Sequence, residues 1–280
     1  MKVLDRNERT DAWDPGLFRQ SIWTSQGRLR QRGIGVTKSD RRILNAAGSA
    51  MGDDVWIIGN GPSLNLTDLG LIQNKILIGT NGIFLNENTR PVDHFAVEDH
   101  LVAEDRASEI AGYPAENKWF GNYLKYCLGE VDEANWLNVS VDYAVNQNWP
   151  RWGSDVRRKI YVGGTVTYLC LQIAFYLQPR RIILVGIDHS YIVSDELDEA
   201  REGNTLTSFT DDVNHFHPDY FGEGKRWHTP RVDRMERAYI RAREISLKLG
   251  IPIYNATYGG RLEVFPRVDF NRFCELSYGT

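Results

Sequence analysis

Six short apolar segments recur along this 280-residue chain, and they restrict its fold more than any other feature. They cover residues 55–58, 75–79, 94–97, 118–121, 181–186 and 251–256. Apolar and polar residues do not alternate within them, so both faces of each strand should be buried. Strands of this kind are typical of parallel sheets that are covered on both sides. We therefore predict an α/β fold with a Rossmann-like, mostly parallel sheet and helices on both faces.

Two helices are indicated between the later strands. Residues Thr165 to Leu177 are apolar almost all round, which predicts a buried central helix. Residues 230–249 carry apolar side chains at helical spacing, with Thr229 as the expected N-cap and Pro230 as the first helical residue. Gly250 is the expected end of this second helix.

The composition divides the chain into an extension and a domain. Residues 1–50 contain 10 Lys and Arg against 5 Asp and Glu and show no clear periodicity. We interpret them as a polar, basic N-terminal extension, in which Trp13, Phe18 and Trp23 could contact the body of the protein. Residues 51–280 then form a Rossmann-like, nucleotide-binding catalytic domain. Within it, residues 191–228 form a long segment rich in polar and aromatic side chains, which favours a lid over the ligand.

Charge and cysteine content exclude several classes of protein. The formal net charge of −4 argues against a general nucleic-acid binder. No apolar stretch approaches membrane-spanning length, and the N-terminus lacks a signal-peptide pattern. Three widely spaced cysteines favour a reduced, cytoplasmic protein. Contact of the basic extension with the inner membrane, and a homo-oligomeric state, both remain open.

The turn GNGPS after the first strand is the first candidate for ligand binding. Gly59 and Gly61 can adopt positive φ and let a ligand approach the main chain, and free N–H groups in such a turn suit a phosphate. Asn60 and Ser63 add polar side chains. An ordinary strand-to-helix turn has the same composition, so the turn by itself leaves phosphate binding open.

Polar residues also follow the other strands, where open α/β sheets bind their ligands. Asn81 follows the second strand, Glu98 and Asp99 follow the third, and Asp188 follows the strand at 181–186. A nucleotide could also contact the start of the central helix, since helix N-termini carry free N–H groups. The residues there are Gly163, Gly164 and Thr165.

Histidines and arginines in the predicted lid suggest further chemistry. His228 precedes the second helix and could exchange a proton with a hydroxyl group. Arg226 beside it would favour an anionic ligand. His215, His217, His228 and Asp219 could together hold a metal ion, but they lack a rigid scaffold and a cysteine partner, so this reading is not favoured.

These motifs resemble one superfamily over about residues 55–269. The resemblance rests on GNGPSL, on Thr80-Asn81 and on the stretch from Gly163 to Asp188. The superfamily joins the small bacterial CMP-sialic-acid sialyltransferases, the motility-accessory-factor glycosyltransferases and the archaeal 6-hydroxymethylpterin diphosphokinase-like proteins.

The resemblance to the sialyltransferases implies roles for particular residues. Nucleotide contacts fall on Gly59, Asn60, Gly61, Ser63, Asn81, Gly163, Gly164, Thr165 and Asp188. The catalytic base falls on His228, in a Trp-His-Thr context where those enzymes have Gly-His-Ser. In those enzymes tyrosines bind the leaving phosphate, but Ser190 occupies the matching position here. Tyr191 and Tyr220 are the candidates for that role. Arg226 and Asp99 are candidates for further substrate contacts.

The resemblance implies two functions, and a third is compatible with the sequence. The first is a glycosyltransferase of bacterial surface glycan biosynthesis that needs no metal, joining a CMP-linked, sialic-acid-like sugar to a glycan or another hydroxyl acceptor. The second is Mg²⁺-dependent pyrophosphoryl transfer from ATP to a hydroxymethylpterin, with Glu98, Asp99 and Asp188 as metal ligands. The third is a nucleotide-binding protein without catalytic activity.

Overall fold

Seven parallel strands form the centre of the molecule. The structure is a computed structural model and describes residues 16–141, 149–194 and 203–277. The strands of the main sheet, in chain order, are β1 (Asp54–Ile58), β2 (Ile76–Thr80), β3 (His94–Val97), β4 (Asn117–Gly121), β5 (Ala134–Leu137), β8 (Arg181–Val185) and β11 (Ile253–Asn255). Two short pairs complete the set, parallel β6 (Val139–Ser140) with β7 (Ile160–Tyr161) and antiparallel β9 (Thr205–Thr207) with β10 (Arg226–His228).

The strand order explains where a ligand can enter. Across the sheet the strands lie in the order β11-β8-β1-β2-β3-β4-β5, and every neighbouring pair is parallel. The chain moves outward in one direction from β1 to β5 and in the other from β1 to β8 and β11. The crevice between the ends of β1 and β8 is therefore the topological switch point, the usual binding position in open α/β sheets. The predicted fold class is confirmed.

The helices are α1 (Gly16–Gln31), α2 (Lys38–Asn45), α3 (His100–Asp105), α4 (Ala107–Gly112), α5 (Lys125–Leu128), α6 (Val166–Leu177), α7 (Val232–Leu249) and α8 (Phe270–Ser277). The predicted central helix is α6, with Thr165 as its N-cap. The predicted start of α7 was wrong by two residues, because Arg231 is the N-cap. The N–H of Thr229 donates to Asn204 at 2.9 Å, which keeps the chain extended beyond β10.

One strand of the main sheet has no counterpart in the sequence prediction. It is β5, whose sequence Ala-Asn-Trp-Leu contains Asn135 in the middle of a buried strand. A single polar residue broke the apolar pattern on which the prediction depended.

Residues 16–50 contain two helices that periodicity did not indicate. Helix α2 is fixed by a capping box at Thr37 and buries Ile43 completely. Trp23 packs against the core, whereas Phe18 is 78% exposed. Trp13 lies outside the described residues, as do residues 195–202 of the predicted lid. Among the described helices, none combines the length and apolar character that crossing a bilayer requires.

Candidate functional site

A cavity of about 540 Å³ lies at the carboxyl ends of β1, β2, β3 and β8, and we call it the switch-point cavity. Its volume is in the range of small-molecule sites. Most of the predicted site residues line it: Gly59, Asn60, Gly61, Asn81, Glu98, Asp99, Gly164, Thr165, Asp188, Tyr191, Tyr220 and His228. Ser63, Gly163 and Arg226 are outside the lining. The topology thus brings together residues that are up to 169 positions apart, from Gly59 to His228.

The GNGPS turn is bound to the segment after β8. The N–H of Gly61 donates to Gly186 at 2.9 Å, and the N–H and hydroxyl of Ser63 donate to the two carboxylate oxygens of Asp188 at 3.2 and 2.7 Å. The N–H of Gly59 donates to Val185 at 2.8 Å. These three main-chain donors are already used within the protein. The expectation that they are exposed to a phosphate is therefore corrected.

The glycines of this turn allow close contact between two loops. A Cβ on Gly59 would overlap the main chain of Gly186, and one on Gly61 would overlap the carboxylate of Asp188. Neither glycine has positive φ. Burial raises the pKa of Asp188, and the hydrogen bonds from Ser63 only partly oppose that shift.

Asn60 has a side-chain orientation set by its neighbours. Its Nδ2 donates to the carbonyl and the hydroxyl of Thr80, at 3.0 and 2.7 Å, and that hydroxyl donates in turn to Ile58. Oδ1 of Asn60 therefore points elsewhere, and it has no hydrogen-bond partner among the described residues. A buried acceptor without a partner is costly, so a ligand donor at this position would be favourable.

Asn81 lies where the chain leaves β2. Its φ is +38°, an uncommon conformation that asparagine tolerates better than most residues. Its N–H donates to Ala96 at 2.9 Å, and its Oδ1 accepts from the N–H of Glu98 at 3.3 Å. Asn81 therefore joins the ends of β2 and β3 beneath the cavity.

The start of α6 forms another wall. Thr165 caps the helix by accepting from the N–H of Thr167 at 3.3 Å. Gly164 has φ +80°, a value that favours glycine, and Gly163 is required because a Cβ there would overlap Tyr168 and Ala238. Gly163 therefore serves packing, while Thr165 and the first turn of α6 face the cavity.

His228 is the last residue of β10 and lies at the cavity edge, with 43% of its side chain exposed. Its Nε2 is 3.6 Å from Oδ1 of Asp99. That carboxylate is oriented because Oδ1 also accepts the N–H of Leu101 at 2.8 Å, which makes Asp99 the N-cap of α3. The ring of His100 lies beside His228, with 5.0 Å between centroids. Burial lowers the pKa of His100, although Asp99 opposes the shift.

Arg226 does not face the cavity, contrary to its predicted role as a substrate contact. Its guanidinium binds Glu104 at 2.8 Å and Asp105 at 2.6 Å, and its N–H donates to Asp105 at 3.1 Å. Tyr126 donates to the same Glu104 at 2.5 Å. Arg226 thus forms ion pairs with two carboxylates of α3, and these contacts hold β10 against that helix.

The two candidate tyrosines both line the cavity. Tyr220 stacks on His215 with 3.9 Å between ring centroids and fills the space above Gly82. Burial raises the pKa values of both Tyr191 and Tyr220. Both phenols are therefore protonated at neutral pH.

The predicted metal ligands do not gather as sets. His215 is bonded to Asp212 at 2.7 Å, and Asp219 pairs with Arg106 at 2.8 Å. Among the described residues, one group brings three His or carboxylate ligand atoms within 4.8 Å of one another. It is neither the lid set of His215, His217, His228 and Asp219 nor the strand-end set of Glu98, Asp99 and Asp188. It consists of Asp99, His100 and His228.

Several lining residues were missed from the sequence. They include His100, Arg234 and Tyr239. His100 directly follows the strand-end pair Glu98-Asp99 and could have been found by extending that segment by one residue. Arg234 and Tyr239 are on α7. Sequence periodicity indicates which face of this helix is buried, but not which end of the helix meets the cavity.

Comparison with known proteins shows that this chain shares its fold with a solved structure. No protein-family model matches the chain, and no curated protein matches it. Among solved structures, it is similar to the MAf glycosyltransferase from Magnetospirillum magneticum AMB-1, with a TM-score of 0.50 and 15% sequence identity. The chain shares that fold. The match covers 80% of this chain and 35% of the other, so this chain spans about a third of that protein's length.

The shared fold agrees with the one that the resemblance to the motility-accessory-factor glycosyltransferases implies, and the comparison bears on the fold alone. Sequence identity of 15% explains why the motifs, rather than overall similarity, carried the resemblance.

Proposed function

We propose that this chain is a glycosyltransferase that uses a nucleotide-activated sugar, with a CMP-linked, sialic-acid-like donor favoured. The observation that carries the proposal is the position of His228. Its imidazole is at the edge of the switch-point cavity, 3.6 Å from the carboxylate of Asp99. The fold shared with a glycosyltransferase supports sugar transfer, and the motif resemblance favours the CMP-linked donor.

His228 would act as the general base. As the acceptor oxygen forms its bond to the anomeric carbon, the bond from that carbon to the phosphate oxygen breaks, and His228 takes the hydroxyl proton. The imidazolium that forms would be stabilised by the negative charge of Asp99, as in catalytic triads. The nucleotide leaves with the electron pair of the broken bond, and the acceptor proton stays on His228.

The anionic donor would be held by the walls of the cavity. Arg231 and Arg234 line it at the start of α7, and the N-terminal turn of α6 lies within the same lining. Together they offer positive charge to a phosphate and to a sugar carboxylate. Tyr191 and Tyr220 would donate hydrogen bonds to the leaving phosphate, so the proposed transfer needs no metal ion.

The test is a donor panel assayed with the wild-type chain and two variants. It contains CMP-, UDP- and GDP-linked sugars with a generic glycan acceptor, and ATP with Mg²⁺ and 6-hydroxymethylpterin. His228→Ala should lower turnover of the preferred sugar donor by about 10²- to 10⁴-fold and leave CMP binding nearly unchanged. The matched control is His217→Ala, because His217 is in the same segment but outside the cavity lining.

Two results would contradict the proposal. Near-normal turnover by His228→Ala would remove the histidine from the mechanism. Turnover of ATP and pterin in place of any sugar donor would replace glycosyl transfer by pyrophosphoryl transfer.

A further inference from the structure

We infer that Asp99, His100 and His228 form a binding site for one divalent transition-metal ion of the zinc class. Each of the three offers one ligand atom, and these atoms all lie within 4.8 Å of one another. The site was not apparent from the sequence, because His228 is 128 positions from His100 and lies in a different element.

The ligand set has the chemistry of a zinc site. Two imidazole nitrogens and one carboxylate oxygen suit Zn²⁺ and similar ions better than Mg²⁺, which prefers oxygen ligands. In a tetrahedral site, ligand atoms are roughly 3.3 Å apart because each bond is about 2.0–2.1 Å long. Nε2 of His228 and Oδ1 of Asp99 are already 3.6 Å apart. The spacing of this pair is therefore already close to the tetrahedral value.

The three ligands are held by a common framework. Asp99 and His100 are consecutive, at the start of α3. His228 comes from β10, and Arg226 in the same strand is bound to Glu104 and Asp105 of α3. The main-chain N–H of Arg226 also donates to Asp105 at 3.1 Å. The distance between the two halves of the site is therefore fixed by three contacts that lie outside the site.

Acidic side chains outnumber basic ones on the two elements that carry the site, α3 with its N-cap and β10. Helix α3 carries the carboxylates of Asp99, Glu104 and Asp105, and the guanidinium of Arg226 offsets part of that charge. The remaining negative charge lies close to the two imidazoles.

Three protein ligands leave at least one coordination position for water or a ligand, as in catalytic zinc sites. All three residues line the switch-point cavity, so the open position faces it. The consequence for catalysis rests on the proposed function. A metal on His228 uses the lone pair that would accept the acceptor proton, so bound metal should switch sugar transfer off.

Binding can be tested without any assay of activity. The full chain, dialysed against EDTA and then against buffer, is titrated with ZnCl₂ by calorimetry and with CoCl₂ by visible absorption. One equivalent should bind, and the cobalt spectrum should show a low-coordinate nitrogen and oxygen site. His100→Gln, His228→Gln and Asp99→Asn should each weaken zinc binding by about tenfold or more, since each removes one of the three protein ligands.

Asp99→Asn retains a side-chain acceptor for the cap of α3, so weaker zinc binding by this variant would not be explained by misfolding. His217→Gln serves as the histidine control and should bind zinc like the wild type. Wild-type affinity in both His100→Gln and His228→Gln, or absence of saturable zinc binding to the wild-type chain, would overturn the site.

The regulatory consequence has its own readout, the ratio of transfer rates with and without zinc. In the wild type this ratio should fall well below one and return to one when EDTA is added. In His100→Gln it should stay close to one at the same zinc concentration. Activation by zinc would overturn the inhibitory role. Absence of turnover with every donor would instead count against the proposed function and leave the binding result standing.

Discussion

The hydroxyl of Ser63 donates a 2.7 Å hydrogen bond to Oδ2 of Asp188, across 125 residues of sequence. The N–H of Ser63 binds the other carboxylate oxygen at 3.2 Å. This pair joins the loop after β1 to the loop after β8, and those loops meet at the topological switch point. Asp188 is a buried carboxylate, so its bonds to Ser63 hold one wall of the cavity in place.

Replacing Ser63 by Ala should therefore destabilise the protein. The change removes one hydrogen bond to a buried charged group, which costs about 1.5–3 kcal/mol of the free energy of unfolding. Urea unfolding at neutral pH measures the loss. Ser25→Ala is the matched control, because Ser25 is exposed on α1 and should change stability by less than about 0.5 kcal/mol. Equal effects of the two substitutions would show that the Ser63–Asp188 bond is not important for stability.

The sequence predicted the framework of the site because the framework follows simple periodic rules. Unalternating apolar strands indicated six of the seven strands of the sheet, and their polar ends indicated Asn60, Asn81 and Asp188. Helix α6 was predicted with its cap, since Thr165 precedes a continuous apolar run. These features depend on neighbours in sequence.

What could not be predicted depends on contacts between distant segments. Gly59 and Gly61 were expected to make room for a ligand, but they make room for the loop after β8. Arg226 was expected to bind substrate, yet the carboxylates of α3, 121 and 122 residues away, bind it first. Composition identifies which residues carry charge, but only the packing of β10 on α3 decides which charges meet.

Arg226→Gln should loosen β10 from α3. It leaves Glu104 and Asp105 without their common partner, and breaking a buried pair costs about 3 kcal/mol or more. We expect a lower free energy of unfolding in urea together with faster proteolytic cleavage within residues 203–228. Arg237→Gln changes the same residue type on an exposed face of α7 and should have little effect. Similar proteolysis of the two variants would contradict the anchoring role of Arg226.

The ion pair between Arg30 and Asp40 joins α1 to α2, and the same guanidinium binds the main chain at Arg157. Its atoms are 2.8 Å apart and both side chains are almost fully buried, while Arg30 also donates to Arg157 at 2.7 Å. Asp40→Asn should cost about 3–5 kcal/mol, because it leaves the guanidinium buried without a counter-charge. Glu244→Gln, in the exposed Arg241–Glu244 pair, should cost less than about 1 kcal/mol.

The same pair makes stability depend on acidic pH. Burial raises the pKa of Asp40, but the hydrogen bonds from Arg30 and Thr37 outweigh it and hold the pKa below the ordinary value of 3.8. Because the folded pKa is depressed, this contribution is complete above about pH 4 and is lost as the pH falls below that value.

The double variant Arg30→Met/Asp40→Leu removes both charges and should be more stable than Asp40→Asn alone. A double variant no better than the single one would contradict the argument.

His94 should make stability fall at a higher pH than Asp40 does. It is buried at the start of β3, and Nδ1 accepts the indole N–H of Trp119 at 3.1 Å, so protonation would place two donors against each other. Burial lowers its pKa from 6.5 to about 4, with Asp93 opposing. Between these two pH values the unfolded chain binds a proton that the folded chain does not, so stability declines as the pH falls from about 6.5 to 4. A shift of this size corresponds to about 3 kcal/mol.

His94→Gln separates this effect from those of the carboxylates. Glutamine keeps an acceptor for Trp119 and does not titrate, so the variant should lose much less stability between pH 7 and pH 4.5 than the wild type. Urea unfolding at a series of pH values gives both curves, and their difference isolates the histidine because the carboxylates are the same in each. A variant whose stability declines as steeply as that of the wild type would show that the buried imidazole is not the group that titrates.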